Sequence, residues 1–410
     1  MLYFEVIFVG EGVRWVKSET KSRTARRMQG VQGEAAFEML SRANELERQG
    51  RSIIHLEIGE PDFDTPEPIL NAGIDWLKRG ATHYSPTPGL PELREAVARH
   101  LSSRHSAEID PGNVIISPGA KMAIFAVIHS VIDPGDEVIF ADPGYPAYEA
   151  AIRMAGGKSV PVQLEEANEF RLSLEEVARR ITPQTKMIVI NSPQNPTGGV
   201  LTLEDLQRLA DLARRDDLLI LSDEIYSDIY YADPPASMLD IASILDRLFL
   251  VNGFSKTFAM TGWRLGYVVV PADIFRTVDL FVNNSISSTA TFTQRAALEA
   301  FTPNTWKAVN KIVREFERRR DVFIDGLNRI AGIRCLKPLG SFYLFPNVSA
   351  LGMPSKEIAD RLLDEAGVAA LPGTAFGRYG EGYLRFSFAN SLTNIETAIE
   401  RIDKFVTNLP

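Results

Sequence analysis

The residues best suited to chemistry follow an apolar run at 249–252, which predicts a buried strand. Lys256 lies in the small polar turn after this run, and Phe258 and Trp263 are close to it in the sequence. Apolar surroundings disfavour an ammonium group and lower its pKa, so such a lysine can act as an amine nucleophile. The stretch therefore indicates a reactive lysine presented at the end of a strand.

Two neighbours of this lysine are suited to binding a phosphate group. Ser255 can donate a hydrogen bond from its hydroxyl, and Arg264 can donate two parallel bonds from its guanidinium. An amine beside a phosphate clamp suggests pyridoxal phosphate as a cofactor. A helix-capping serine and a solvated lysine explain this stretch equally well, so other parts of the chain must decide between the two interpretations.

The composition limits the classes of function. The chain has 410 residues, is 45% hydrophobic and carries a formal net charge of -9. This length predicts a large core in two domains, or in one large and one small domain. The acidic balance and the lack of a basic stripe argue against nucleic acid as a main partner. No apolar run approaches the length of a membrane span, so no membrane partner is expected.

Cysteine and histidine usage bears on metals and on the cellular setting. The single cysteine, Cys335, excludes an internal disulfide framework and a cysteine-cluster metal site. The five histidines are scattered without a zinc-binding pattern, so no metal is expected. A reduced, cytoplasmic setting fits this usage best.

The middle of the chain alternates short apolar strands with amphipathic helices. The strand candidates are 114–117, 138–141, 159–162, 187–190, 218–222, 249–252 and 267–270. Such a pattern predicts an α/β fold, in which a mostly parallel seven-stranded sheet lies between helices. Ligands of these sheets bind at the carboxyl ends of the strands.

The two ends of the chain predict a second, smaller α+β domain. A long helix at 306–327 is followed by short strands and a final helix, and an early helix from Ala35 is expected to pack on them. The predicted divisions are a poorly ordered N-terminal extension at 1–29, a small domain of 30–60 and 300–410, and a large cofactor-binding domain at 61–299.

Polar motifs follow four of the predicted strands. They are Ser117-Pro118-Gly119-Ala120-Lys121 at a helix start, the run from Asn191 to Gly199, Asp223-Glu224-Ile225-Tyr226, and the turn that holds Lys256. Because the carboxyl ends of parallel strands share one edge of a sheet, these motifs are expected to meet there. The helix start offers backbone N–H groups and a helix dipole to an anion.

Several of these motifs together resemble a known family. They are Asn195-Pro196-Thr197-Gly198, Asp223-Glu224-Ile225-Tyr226, Ser255-Lys256 and Thr261-Gly262-Trp263-Arg264-Leu265-Gly266, in this order. With them, residues 30–408 resemble the class I/II aminotransferases, which are fold-type I pyridoxal-phosphate enzymes similar to aspartate aminotransferase. The resemblance implies transfer of an amino group from an L-amino acid to a 2-oxo acid, such as 2-oxoglutarate, by a ping-pong mechanism.

The resemblance implies four catalytic residues. Lys256 would hold the cofactor covalently and move a proton between the substrate and the cofactor. Asp223 would keep the cofactor's ring nitrogen protonated, and Asn195 and Tyr226 would hydrogen-bond the ring hydroxyl. Taken singly, each of the last three is better explained by structure alone: Asp223 as an N-cap, Asn195 as a turn residue and Tyr226 as a core tyrosine. Taken jointly with Lys256, they are not.

The resemblance also implies the remaining cofactor contacts. Tyr145 would stack on one face of the ring and Ile225 would cover the other. The phosphate would lie at the helix start, against residues Gly119, Ala120, Lys121, Ser255 and Arg264. Gly253 stands where relatives have a serine, which removes one expected phosphate donor.

Substrate recognition and assembly follow from the same resemblance. Tyr84 would reach the phosphate of the neighbouring subunit, which implies a homodimer with shared active sites. Arg385 and the backbone N–H of Gly59 would bind the substrate α-carboxylate. Lys121 would contact a second carboxylate, which modestly favours aspartate and glutamate, although the hydroxyl residue that relatives have near Ala36 is absent.

Other functions use the same scaffold. Carbon–sulfur lyases and decarboxylases share the fold and the lysine, and they differ in how the substrate lies against the ring. A ligand-sensing regulator is a rival from another class, but residues 1–30 are too short for a DNA-binding helical module.

Overall fold

The computed structural model of the chain describes residues 4–9, 12–17, 23–31 and 33–409. Its strands are β1 Phe4–Val9, β2 Gly12–Lys17, β3 Ile54–His55, β4 Val114–Ser117, β5 Glu137–Asp142, β6 Lys158–Gln163, β7 Thr185–Asn191, β8 Leu219–Asp223, β9 Leu248–Gly253, β10 Gly266–Val269, β11 Tyr343–Leu344, β12 Val368–Ala369, β13 Leu371–Pro372 and β14 Leu384–Ser387. Its α-helices are α1 Ala35–Arg48, α2 Glu67–Lys78, α3 Pro91–Arg104, α4 Ala120–Val131, α5 Ala147–Ala155, α6 Leu174–Arg180, α7 Leu203–Arg215, α8 Phe275–Ile286, α9 Thr291–Ala296, α10 Pro303–Leu327, α11 Ser355–Arg361 and α12 Leu392–Thr407.

The central element is a seven-stranded sheet in the order β4-β10-β9-β8-β7-β5-β6. The pairs of β5 with β6, β5 with β7, β7 with β8 and β8 with β9 are parallel, whereas β10 is antiparallel to both β9 and β4. The predicted α/β class and the mostly parallel seven-stranded sheet are thus confirmed.

Both faces of this sheet are buried. Along β9, Phe249 and Val251 belong to one hydrophobic cluster and Leu250 belongs to the other. Successive side chains of a strand point to opposite faces, so an unbroken apolar strand needs cover on both sides. This is why β9 is apolar from Leu248 to Val251 rather than alternating.

The helices begin where the sequence offers suitable residues. Thr202 and Asp205 form a reciprocal capping box at the start of α7, and Pro303 is the first residue of α10. Gly119 precedes α4 with a φ of +86°, a left-handed conformation that favours glycine. The turn at Gly119 aims the start of α4 at the carboxyl edge of the sheet.

A second group of elements joins the two ends of the chain. Strands β11, β14 and β13 form a small antiparallel sheet, and β3 pairs in parallel with β12. Helix α10 contacts α12 in this part of the molecule. The domain boundaries proposed from the sequence stay a prediction.

The predicted N-terminal extension at 1–29 contains the antiparallel pair of β1 and β2, in which Phe4 is opposite Lys17. Residues 1–3, 10–11 and 18–22 of that extension lie outside the described residues. In the part of the chain that the structure does describe, no helix is both long enough and apolar enough to cross a membrane.

Candidate active site

A cavity of about 640 Å³ opens at the carboxyl edge of the large sheet. The sequence-predicted residues that line it are Gly59, Ala120, Lys121, Tyr145, Asn195, Asp223, Ile225, Tyr226, Ser255, Lys256, Arg264 and Arg385. Gly119 lies next to them as the N-cap of α4. Tyr84 lies elsewhere, with its side chain 90% exposed. Strands of the large sheet, strand β14 of the small antiparallel sheet and the start of α4 therefore converge on one site.

Lys256 follows β9 and is half-buried. Its Nζ donates a hydrogen bond of 2.5 Å to the carbonyl oxygen of Gly59 and lies 5.9 Å from the centre of the Phe342 ring. Burial, against the opposing effect of Glu60 and together with the nearby cations Arg385 and Arg264, lowers the pKa of Lys256 to about 8. About a tenth of this lysine is therefore an unprotonated amine at pH 7, far more than for a lysine with the usual pKa.

Asp223 is the last residue of β8 and is 3% exposed. Its Oδ2 accepts a hydrogen bond of 2.7 Å from the Tyr148 hydroxyl, and its Oδ1 accepts one of 3.2 Å from the Ile225 N–H. Burial raises the pKa of Asp223 to about 6, against the opposing effect of these two donors. At neutral pH the site thus presents a buried carboxylate with an incomplete set of partners.

Asn195 and Tyr226 approach the cavity from the ends of β7 and β8. The backbone N–H of Asn195 donates to Asn191 Oδ1 at 2.9 Å, and Asn195 Oδ1 accepts a bond of 3.3 Å from Arg385. The hydroxyls of Tyr226 and Tyr343 are 2.8 Å apart. Burial raises the pKa of Tyr226 well above its usual value, so its hydroxyl stays neutral and can act as a donor.

The start of α4 forms one corner of the cavity together with Arg264. A Cβ atom added at Gly119 would lie 2.5 Å from Arg264 Nη2, and one added at Gly266 would lie 2.6 Å from the Ala120 nitrogen. Glycines at these two positions let the guanidinium and the next strand approach the helix start closely. Arg264 itself has a φ of +54°, an uncommon conformation for a non-glycine residue and one of the kinds of strain that cluster at active sites. Backbone N–H groups, Ser255 and a guanidinium are thus available to an anion here.

Gly253, where the resemblance predicted a serine, ends β9 beside this corner. A Cβ atom there would lie 2.9 Å from Gly266 Cα and 3.3 Å from Ile225 Cδ1. The close pairing of β9 with β10 therefore leaves little room for a side chain at this position.

Arg385 lies on β14 and is 4% exposed. Its guanidinium donates to Asn195 Oδ1 and to the carbonyl oxygen of Glu57, and it lies over the Tyr343 ring at 4.5 Å. Among the residues that the structure describes, its Nε has no hydrogen-bond partner and no carboxylate forms an ion pair with it. Burial lowers the pKa of Arg385, which reflects the cost of keeping an unpaired cation out of water. The cavity therefore contains a cation that lacks an anionic partner.

Lys121 reaches the cavity from the first turn of α4. Its Nζ forms an ion pair with Glu34 Oε1, and the same oxygen accepts a hydrogen bond of 3.3 Å from the Tyr145 hydroxyl. The Lys121 Nζ is 5.7 Å from the centre of the Tyr145 ring. Lys121 and Tyr145 are thus joined through a carboxylate that the sequence analysis did not single out.

Sequence reasoning missed three residues that shape this site: Glu34, Tyr148 and Tyr343. Tyr148 lies in the first turn of α5, three residues after Tyr145, and this spacing was the available signal. Tyr343 is a polar exception in an otherwise apolar run before β14, and a buried hydroxyl in such a run needs a partner. Glu34 carried no local signal beyond a charge at a helix start.

The donor set fits pyridoxal phosphate group by group. The buried Asp223 carboxylate suits a protonated ring nitrogen, Asn195 and Tyr226 suit the ring hydroxyl, and the corner formed by Ser255 and Arg264 suits the phosphate. Lys256 supplies the amine. Together with a mostly parallel seven-stranded sheet, this arrangement defines a pyridoxal-phosphate enzyme of fold type I.

Comparisons with known proteins narrow this class. A model of the family "Aminotransferase class I and II" matches residues 51–402. An aspartate aminotransferase of Pyrococcus abyssi is 42% identical over 357 residues, which cover 86% of this chain and 92% of the relative. An aromatic-amino-acid aminotransferase 2 of Thermococcus litoralis is 41% identical, with 86% and 91% covered. The solved structure of aspartate aminotransferase from Thermus thermophilus with maleate aligns at a TM-score of 0.89 and 38% identity, covering 93% of this chain and 99% of that chain.

The chain belongs to the aminotransferase class I and II family. It is a pyridoxal-phosphate-dependent transaminase. The carbon–sulfur lyase, decarboxylase and regulator interpretations are not favoured, because the relatives named above are aminotransferases.

Proposed function

We propose that this transaminase moves the amino group of an L-amino acid to 2-oxoglutarate by a ping-pong mechanism, with a modest preference for aspartate and glutamate. The observation that carries the proposal is the buried, unpaired guanidinium of Arg385 in the same cavity as Lys256. Every α-amino acid and every 2-oxo acid carries a carboxylate that this guanidinium can bind through two parallel hydrogen bonds. The side-chain preference rests on Lys121 at the cavity wall.

The cofactor is assigned to the groups that fit it. Lys256 would attach it covalently, Asp223 would pair with its ring nitrogen, and Asn195 and Tyr226 would bind its ring hydroxyl. Tyr145 and Ile225 would cover the two ring faces. The phosphate would lie against Gly119, Ala120, Lys121, Ser255 and Arg264. When bound, pyridoxal phosphate supplies an electron-withdrawing ring and the carbon that carries the amino group between substrates.

The substrate is held at its carboxylate and at its side chain. Arg385 and the backbone N–H of Gly59 would bind the α-carboxylate, and Lys121 would face a second carboxylate where the substrate has one. Arg385 lies over the Tyr343 ring and donates hydrogen bonds to Asn195 and to the Glu57 carbonyl, so these contacts would orient its fork before the substrate arrives.

Lys256 is placed to move the proton that the reaction requires. With a pKa of about 8, its amine can accept a proton from the substrate α-carbon near neutral pH and can then deliver it to the cofactor. The hydroxyl pair of Tyr226 and Tyr343 would keep the neighbouring polar atoms in fixed positions. The half-buried cavity restricts the access of water to the reacting atoms.

We further propose a homodimer whose active sites are shared. Tyr84 is 90% exposed and lies outside the cavity of its own chain, as expected if it reaches the phosphate corner of a second copy. Leu70, Ile74 and Leu77 form an exposed apolar stripe on α2, each more than 40% exposed. A stripe of this kind favours burial against a partner, and a C2 dimer presents the same stripe twice.

The cellular setting of this proposal is the cytoplasm. Its support is the single cysteine of the sequence, Cys335, which is a free, buried thiol. Cell fractionation with an antibody to the native protein tests this assignment.

A spectrum and a substrate screen test the proposed function. The purified protein, loaded with pyridoxal phosphate, should be yellow and should transfer amino groups from at least one amino acid to 2-oxoglutarate. Lys256→Ala should abolish turnover while cofactor still binds noncovalently, whereas Lys356→Ala, at a lysine that is 73% exposed, serves as the control. Undiminished transamination by the Lys256 variant would overturn the assignment.

A further inference from the structure

The ion pair between Glu34 and Lys121 lies inside the cavity rather than on the outer surface. Both residues line the cavity, together with Lys256 and Arg385. Glu34 is the N-cap residue of α1, yet its side chain makes no capping bond to the helix. The carboxylate is instead directed to Lys121 and to the Tyr145 hydroxyl. Its position is therefore not explained by the start of α1.

The Glu34 carboxylate is already paired with Lys121, the cation to which a second substrate carboxylate would bind. A dicarboxylate bound through Arg385 would bring its distal group towards Lys121, where Glu34 already lies, and like charges at one ammonium disfavour each other. Binding of such a substrate requires the Glu34 side chain to leave. The cavity is open to water at this point, since the Lys121 side chain is 40% exposed and the Glu34 side chain 26% exposed. Separating such a hydrated pair costs little, and Glu34 can rotate towards water.

A substrate with an uncharged side chain meets the opposite situation. Without Glu34, the uncharged side chain of the substrate would cover the Lys121 ammonium and leave it buried without an anionic partner, which is unfavourable. With Glu34 in place the charge is neutralised, and Phe37, which lines the same cavity and is 62% exposed, offers an apolar surface to the side chain. One site can thus serve both kinds of substrate.

We infer that Glu34 is a specificity-determining residue: an internal carboxylate that neutralises Lys121 while an uncharged side chain is bound and yields Lys121 to a substrate with a second carboxylate. This inference rests on the proposed function. It adds to the proposed preference for aspartate and glutamate that an amino acid with an uncharged or aromatic side chain can use the same site in one half-reaction while a dicarboxylic acid uses it in the other.

Binding of two unreactive acids to the holoenzyme tests the role of Glu34. Maleate carries two carboxylates, and 3-phenylpropionate carries one carboxylate and an aromatic ring. In Glu34→Gln we expect maleate to bind on the order of tenfold more tightly, because its competitor for Lys121 is gone, and 3-phenylpropionate to bind no more tightly. Dissociation constants come from the change in cofactor absorbance or from calorimetry. The ratio of kcat/KM for 2-oxoglutarate to that for phenylalanine should rise by a similar factor.

Two further variants make the test specific. Glu38→Gln removes the same charge from the first turn of α1 at an exposed residue that lines a separate surface groove, and it should leave both dissociation constants unchanged. In a Lys121→Met background, Glu34→Gln should no longer tighten maleate binding. Equal effects of the Glu34 and Glu38 changes, equal gains for both acids, or a gain that persists without Lys121 would each overturn the inference. An enzyme that transfers no amino group to 2-oxoglutarate from any donor would instead overturn the proposed function.

Discussion

Tyr148 and Asp223 meet at the wall of the cavity, where the tyrosine hydroxyl donates a 2.7 Å hydrogen bond to the carboxylate. Both side chains are buried, with 3% of each residue exposed. Burial alone raises the pKa of Asp223, and the hydroxyl opposes that rise by stabilising the charged form. Tyr148 therefore keeps the carboxylate both oriented and ionised.

Tyr148→Phe should shift the pH range in which the cofactor binds. Without the hydroxyl donor, the pKa of Asp223 should rise above about 6, so the carboxylate is protonated at a higher pH. We expect pyridoxal phosphate affinity to fall as the pH drops, and to begin falling at a higher pH in the variant than in the natural protein. Titrations of cofactor-free protein between pH 5.5 and 8 measure this. Identical profiles for the two proteins would exclude a role for Tyr148 in holding the charge.

Lys256→Met should stabilise the cofactor-free protein at neutral pH. An unfolded lysine keeps its proton up to about pH 10.5, whereas burial lowers the pKa of Lys256 to about 8 in the folded chain, so the folded state binds fewer protons between these values. The unfavourable contribution is complete below pH 8 and disappears as the pH rises towards 10.5. After allowance for partial solvent access, we expect a gain on the order of 2 kcal/mol at pH 7.

Urea unfolding of both proteins at pH 7 and at pH 10 provides the measurement. The difference between them isolates Lys256 from the other groups that titrate in this range. A gain of the same size at both pH values would mean that methionine packing, and not the buried charge, is responsible.

The order of strands and helices was accessible from sequence because local periodicity encodes it. The apolar run that became β9 and the amphipathic run that became α7 each carry their own pattern, and the carboxyl-edge rule then placed Asp223 and Lys256 together. The contacts that shift the pKa of Asp223 and pair with Lys121 are not predicted by any local sequence pattern. Tyr148 and Asp223 are 75 residues apart in the chain, and Glu34 and Lys121 are 87 apart. Pairings of this kind depend on the tertiary packing of the helices and strands.

Tyr84 and Lys256 variants should complement each other if two subunits share each site. In a mixed dimer of Tyr84→Ala and Lys256→Ala chains, one site carries both lesions and the other carries neither. Random exchange of equal amounts should therefore restore about a quarter of the natural activity. Assays after exchange by mild denaturant and refolding measure it. Absence of any recovery, with subunit exchange proven by labelled chains, would place Tyr84 in the site of its own subunit.

Arg385→Leu and Lys121→Met should separate the two ends of the substrate. The first change removes the buried guanidinium and should lower kcat/KM for aspartate and alanine alike. The second should lower kcat/KM for aspartate and glutamate and spare neutral donors, with a loss on the order of 2 kcal/mol, a factor of tens. Steady-state assays of each variant with 2-oxoglutarate as the acceptor and acidic or neutral amino acids as donors give these values of kcat/KM. Equal losses for acidic and neutral donors in Lys121→Met would instead indicate a role in phosphate binding or in the structure of α4.

Gly59→Ala should disrupt the site through a single hydroxyl group. An added Cβ would lie 2.1 Å from the Tyr343 oxygen but 3.1 Å from the nearest ring carbon, so the hydroxyl accounts for most of the overlap. Displacing Tyr343 would also break its 2.8 Å contact with Tyr226 and disturb the ring stacked against Arg385. We expect Gly59→Ala to cost about 1–3 kcal/mol of stability and to weaken binding of the substrate carboxylate.

The same substitution in a Tyr343→Phe background should cost less than half as much, because the colliding atom is gone while the ring remains. Urea unfolding of the four proteins in this cycle gives the coupling free energy: the double variant should cost less than the sum of the two single costs, by on the order of 1 kcal/mol. In the part of the chain that the structure describes, and apart from the two chain neighbours of Gly262, no atom lies within 4 Å of a Cβ added there, so Gly262→Ala reports the effect of a methyl group in open space. If the costs of Gly59→Ala and Tyr343→Phe simply add, the close approach of the Gly59 backbone to the Tyr343 hydroxyl does not constrain this site. The position of Tyr343 over Arg385 must then come from the packing of its ring alone.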